Sequence, residues 1–221
     1  MIEIESRHEH LLYRDRQNVT LSKIGATATY LYNRIRYHDS PIIDGLEHLQ
    51  SAEPAVIAPT HQSKLDIPLM GYLAWRAKLR PPTYIARVSL VDDDPKIGRV
   101  LPYLGAFYIN QSKQDSQPME RHIRNSLEST RSVILFPEGT RRAPGEPIKL
   151  ERGLGIIAVN LGLIIVPVGI YGTERAVKGQ HTPVGIAIGE SLSPGNNPMV
   201  FRKKLTQTLT GLRDQARQLV S

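Results

Sequence analysis

Ala55-Val-Ile-Ala-Pro-Thr-His61-Gln-Ser-Lys-Leu-Asp66, and later Ser132-Val-Ile-Leu-Phe-Pro-Glu138-Gly-Thr-Arg141, are apolar runs that each deliver polar residues at their carboxyl end. Both read as buried strands opening into loops. After the first, Ile67 to Leu79 reads as a helix stopped by Pro81-Pro82, and Thr83-Tyr-Ile-Ala86 as the next strand. Met119, Ile123 and Leu127 share a face of a helix over 118–130, ahead of the strand at Ser132. Gly153 to Leu161 gives another helix before the strand that starts at Ile164, and Val184-Gly-Ile-Ala-Ile188 is a late strand. A last helix starts at Pro198 behind Asn196-Asn197, with Phe201, Leu205, Leu209, Leu212, Ala216 and Leu219 as its apolar stripe. This alternation predicts an α/β fold: a single domain with a mostly parallel central sheet flanked by helices.

Residues 1–19 are polar and read as a lead-in, so the domain is expected over 20–221. Leu21, Ile24, Ala28, Leu31 and Ile35 recur at helical spacing and predict an amphipathic helix over about 21–37, interleaved with Tyr30, Tyr32 and Tyr37. Packing on the domain and lying in a lipid headgroup layer are both open to such a helix. Asp92-Asp-Asp94-Pro95 reads as an acidic turn, not a metal site, with Asp94 capping a short helix over 96–101. Ala143-Pro-Gly-Glu-Pro147 is a turn-rich loop, placed to form a mobile lip after Arg141.

The 221 residues are 40% hydrophobic, enough for one sizeable core. With no Cys, disulfides, a thiolate zinc site and a cysteinyl nucleophile are all excluded. The seven His show no metal-ligand spacing, and His8 and His10 sit in a polar segment, so no metal is expected. The net charge of +7 suits anionic partners such as a lipid surface, coenzyme A phosphates or an acidic carrier protein. Scattered basic residues, without a recognition helix or an aromatic strand pattern, speak against nucleic acid. The acidic start Met1-Ile-Glu-Ile-Glu lacks the basic and apolar regions of a signal peptide, and no apolar stretch is long enough to span a bilayer. The expectation is a cytoplasmic protein, peripheral on the inner face of the membrane.

Open α/β sheets bind ligands beyond the carboxyl ends of their strands, where both polar blocks stand. Either block alone would read as an ordinary histidine or a strand-to-loop turn. In this order, each after a strand, the H-x4-D of His61 to Asp66 and the E-G-T-R of Glu138 to Arg141 resemble the glycerolipid acyltransferase family typified by 1-acylglycerol-3-phosphate acyltransferases. Ile164-Ile-Val-Pro167-Val-Gly-Ile-Tyr-Gly172-Thr is similar to the family's late V-P-V segment and supports the register, with Pro167 expected at a strand edge or bulge.

The resemblance implies transfer of a fatty acyl group from acyl-CoA or acyl carrier protein, as donor substrates without a cofactor, to the free hydroxyl of a lysophospholipid acceptor. The simplest acceptor is 1-acylglycerol-3-phosphate. Such a hydroxyl must lose its proton as it attacks, and a positioned imidazole is the usual base at neutral pH, which assigns His61. A carboxylate that holds the other ring nitrogen as donor assigns Asp66 as orienter. Ser63 is expected to cap the following helix rather than act as nucleophile, since residues so close in one loop seldom reach each other correctly.

Glu138, Gly139, Thr140 and Arg141 are implied to bind the phosphorylated acceptor: Gly139 lets the backbone approach a ligand and Arg141 offers a fork suited to phosphate. The chain departs from the family at Gln111, where Arg is usual; a charge-assisted contribution of about 1–3 kcal/mol would be missing there. Lys113 is placed to replace it. Arg87 stands where Lys is frequent, and Glu151 where a Lys precedes Gly153, with Lys149 and Arg152 alongside. These departures bear on the acceptor, and leave open a neutral, glycosyl or amino-acid-bearing lysolipid, or a lipid-binding protein without catalysis.

Overall fold

Val56, Ile57, Ala58 and Pro59 are all buried because the strand they form lies at the centre of a sheet covered on both faces, which removes any need for polar alternation. The structure, a computed structural model, describes residues 41–93, 98, 101–110, 116–175 and 183–221. The predicted 21–37 helix, the Asp94 cap, Gln111 and Lys113 lie outside these residues.

Among the described residues seven strands form one sheet: β1 (Ile42–Asp44), β2 (Val56–Pro59), β3 (Thr83–Arg87), β4 (Ala106–Ile109), β5 (Val133–Ile134), β6 (Ile165–Tyr171) and β7 (Gly185–Ile188). Their spatial order is β1-β7-β6-β2-β5-β3-β4, parallel throughout except where β7 runs against β6. The expected α/β architecture is therefore present. β2 is flanked by β6 and β5, with Val56 opposite both Ile165 and Val133. Consequently the chain that leaves β2 and the chain that leaves β5 emerge side by side at one edge of the sheet.

Helices α1 (Leu46–Ser51) and α2 (Asp66–Arg76) cover one face, where Ile57, Val166, Val168 and Ile170 pack with Leu69, Tyr72 and Leu73. A short helix, α3 (Leu90–Asp93), follows β3. On the other face α4 (Gln117–Glu128), α5 (Arg152–Leu161) and α6 (Pro198–Gln218) bring Ile123, Leu154, Ile157, Phe201, Leu205 and Leu209 against Val56, Ala58 and Ile165. Of the predicted stripe, Phe201, Leu205, Leu209, Leu212 and Ala216 are the buried residues of α6 while Leu219 lies just past its end and is half-buried, and Asn197 caps that helix by accepting from the Met199 and Val200 N–H groups.

Local differences from the expectations have local causes. α2 stops at Arg76, three residues short of the expected end, because Lys78 turns left-handed at φ 58° and the Leu79 N–H returns to Ala74. Asp92 and Asp93 end α3 instead of forming a turn. Pro167 lies within β6, not at an edge. Its ring packs beside Gly189, just past the end of β7, and its carbonyl accepts from the Gly189 N–H. A Pro in a central strand is tolerable where its neighbour's ladder has ended.

α6 lies unusually close to the sheet. A Cβ on Gly185 would stand 1.9 Å from the Ala216 carbonyl oxygen, and one on Gly169 would stand 2.3 Å from the Leu212 carbonyl carbon. Backbone cannot swing aside as a flexible side chain can. Gly185→Ala is therefore expected to destabilise the domain by about 3 kcal/mol, the upper range for overpacking, read as a lowered urea midpoint at constant m.

Candidate active site

β2 hands its ladder on through Thr60, whose N–H donates to Val168 and whose hydroxyl accepts from the Ile170 N–H at 2.9 Å. His61 follows at the carboxyl edge. Its backbone is clasped by the second motif: the His61 N–H donates to Glu138 Oε1 at 2.9 Å, and the His61 carbonyl accepts from the Arg142 N–H at 2.9 Å. The two blocks, far apart in the chain, are thus one hydrogen-bonded unit.

The imidazole stacks on Phe136 with ring centroids 4.1 Å apart, and its Nδ1 is 2.9 Å from Asp66 Oδ2. Asp66 is fully buried at the first turn of α2 and uses both oxygens. Oδ2 also accepts from the N–H groups of Gln62 (2.7 Å) and Ser63 (2.8 Å), while Oδ1 accepts from the Thr173 hydroxyl at 2.6 Å. A carboxylate surrounded by donors places the ring proton on Nδ1 and leaves the lone pair of the neutral imidazole on Nε2. Nε2 has no hydrogen-bond partner among the described residues, and the side chain is 12% exposed.

Ser63 does not cap α2. Its hydroxyl accepts from the Leu65 N–H at 3.2 Å and its carbonyl from the Asp66 N–H at 3.2 Å, so it braces the turn that aims Asp66 at His61.

The E-G-T-R residues divide between inside and outside. Glu138 is 1% exposed, and burial pushes its carboxyl above the usual carboxylate value against the pull of the His61 N–H and of Arg142, whose Nε lies 3.7 Å from Oε2. It holds the His61 backbone. Gly139 takes φ +65°, which lets the chain turn beneath Arg87 and Glu151. Thr140 and Arg141 are both exposed. Arg87, the last residue of β3, reaches the same turn from the neighbouring strand. The 143–147 loop is a turn closed between Ala143 and Glu146, and Arg213 of α6 donates to its Glu146 carbonyl at 2.9 Å.

A base with a free lone pair, backed by a buried carboxylate and set beside exposed cations, is equipped to deprotonate a hydroxyl on an anionic molecule. A family model described as Acyltransferase matches residues 40–171, more than half of the chain. The chain belongs to the acyltransferase family. It is 33% identical over 140 residues to the human 1-acyl-sn-glycerol-3-phosphate acyltransferase beta, covering 58% of this chain and 47% of that protein. To the chloroplastic 1-acyl-sn-glycerol-3-phosphate acyltransferase LPAT1 of Arabidopsis thaliana it is 32% identical over 135 residues, 60% of this chain and 36% of the relative. The fold is similar to the crystal structure of the 1-acyl-sn-glycerophosphate acyltransferase PlsC from Thermotoga maritima. The TM-score is 0.63 at 23% identity, covering 89% of this chain and 78% of that chain. The chain spans between about a third and a half of the length of these two curated relatives.

Thr173 and Arg142 belong to this candidate site and were not legible as such in the sequence. Nothing in a Gly-Thr after a strand distinguishes a hydroxyl that will meet a carboxylate a hundred residues away from an ordinary turn residue. Thr173→Val is expected to cost about 1–3 kcal/mol by leaving a buried carboxylate oxygen unpaired. It should also lower kcat about tenfold with KM unchanged. Thr173→Ser should restore both, as followed by urea denaturation and steady-state kinetics.

Proposed function

We propose that this protein transfers a fatty acyl group from acyl-CoA or acyl carrier protein to the free hydroxyl of a lysophospholipid, most simply 1-acylglycerol-3-phosphate, giving phosphatidic acid. The observation that carries the reading is the His61 Nδ1 to Asp66 Oδ2 contact of 2.9 Å, which leaves Nε2 open at the sheet edge. The names of the relatives support the acceptor class.

In this mechanism the acceptor hydroxyl gives its proton to His61 Nε2 as its oxygen attacks the thioester carbonyl carbon. The C–O bond forms, the C–S bond breaks, and the departing thiolate takes the proton back from the imidazolium. Asp66 stabilises that cation while it exists. The chain contains no Cys, which is consistent with direct transfer rather than a thiol-bound intermediate. Arg141 and Arg87 are the cations positioned for the acceptor phosphate. No described helix is long and apolar enough to cross a membrane. The +7 charge supports a peripheral position on an anionic, cytoplasmic membrane face.

Gln111, where the resemblance expects Arg, favours a second acceptor class of neutral, glycosyl or amino-acid-bearing lysolipids. The test is thiol release from a long-chain acyl-CoA, read with a thiol-reactive dye against this Cys-free background, with and without a lysolipid panel. Release that requires lysophosphatidic acid is expected. Release that requires only another acceptor selects the second class, and acceptor-independent release means a thioesterase. Liposome binding without turnover, with either a CoA or a carrier-protein donor, means a lipid-binding role.

A further inference from the structure

Glu151 is an acid set among cations. Its backbone N–H donates to the Pro137 carbonyl at 2.9 Å, which seats it on the second motif, and it immediately precedes α5. In that place a carboxylate would ordinarily cap the helix. This one makes no capping bond and turns back over Gly139 instead. A Cβ on Gly139 would lie 2.8 Å from Glu151 Cγ and Oε1 and 3.0 Å from Arg87 Nη2.

Arg87 and Glu151 are thus packed side by side on the turn that precedes Arg141. Their nearest charged atoms are 3.9 Å apart, an ion pair without a hydrogen bond, and both side chains are partly exposed, at 39% and 58%. Arg87 Nε is buried with no hydrogen-bond partner among the described residues. The guanidinium is therefore oriented but incompletely satisfied, a state in which an oxyanion with better geometry can take it from the carboxylate. The only cost is a screened surface pair.

We propose that Glu151 is a specificity-determining residue for the acceptor, competing with an anionic headgroup for Arg87 and so weakening the hold on a bare phosphate monoester. This rests on the acyltransferase reading above and names the chain's own control over its acceptor. Glu151→Gln keeps the shape over Gly139 and removes only the charge, so it isolates the competition from the packing.

The test is calorimetric binding of glycerol 3-phosphate, which needs no turnover, alongside KM for lysophosphatidic acid. Wild type, Glu151→Gln, Arg87→Gln and the double variant are compared, with thermal melts to confirm folding. Glu151→Gln is expected to lower Kd and KM about fivefold, Arg87→Gln to raise them, and the double variant to match Arg87→Gln alone. Unchanged or weaker glycerol 3-phosphate binding in Glu151→Gln overturns the proposal, as does the same gain in the Arg87→Gln background. Failure of all four proteins to bind glycerol 3-phosphate overturns it as well. Absence of lysophosphatidic acid-dependent thiol release from the wild type, with the binding pattern intact, overturns the assigned reaction instead.

Discussion

His61→Ala is expected to lower acyl transfer by about 10³- to 10⁴-fold, near the full contribution of a positioned general base, while the protein remains folded. The fold survives because the backbone of His61, not its side chain, joins the two motifs. Its N–H still donates to Glu138 and its carbonyl still accepts from Arg142. Asp66 keeps the Gln62, Ser63 and Thr173 donors, so no buried charge is stranded. What disappears is the imidazole, its Asp66 contact and its stack on Phe136, a loss of about 1–2 kcal/mol in stability. Thiol release and a circular dichroism melt check both halves. A variant retaining a tenth of wild-type turnover would remove His61 from the chemistry.

Asp66→Ala should match His61→Ala in lost activity and be the most damaging single change for stability. The side chain it removes accepts from two backbone N–H groups, one imidazole and one hydroxyl at a site with no solvent exposure. The Gln62 and Ser63 amides lose their acceptor and the turn that presents His61 loses its centre. A cost of about 3–5 kcal/mol follows from stranded donors of this kind, with activity at the His61→Ala level.

Asp66→Asn should behave differently. Its amide oxygen fits the Oδ2 position, where three donors converge, and its NH₂ then faces Thr173, whose hydroxyl can rotate to accept. The imidazole keeps its tautomer and loses only the opposing charge. The expected loss is about 10- to 100-fold, against roughly 10⁴ where an amide turns its N–H to the ring. Urea midpoints and kcat for the two variants separate the cases, and equal damage by Asn and Ala would refute this account of how Asp66 is held.

The apolar runs at Ala55 and Ser132, the helical spacing between them and the stripe from Phe201 to Ala216 were enough to determine an α/β sheet, its covering helices and the strand ends that carry His61, Asp66 and the Glu138 block. Those are signals of period and order, which a chain carries locally. The strand order was not legible, because pairing of β2 with β5 and β6 depends on which surfaces meet across many residues. Nor was the division of labour within Glu138 to Arg141: a carboxylate written beside an Arg looks the same whether it binds substrate or, as here, folds inward to hold the His61 N–H.

Thr173 came to Asp66 only because β6 lies parallel to β2 and ends at the same edge. Arg87 came to Glu151 only because β3 and the loop leading to α5 meet over a glycine that has no side chain to keep them apart. The chemistry of each residue is set by its type, but its partner is set by tertiary structure, since a hydrogen bond or an ion pair forms over a few ångströms of space regardless of distance along the chain.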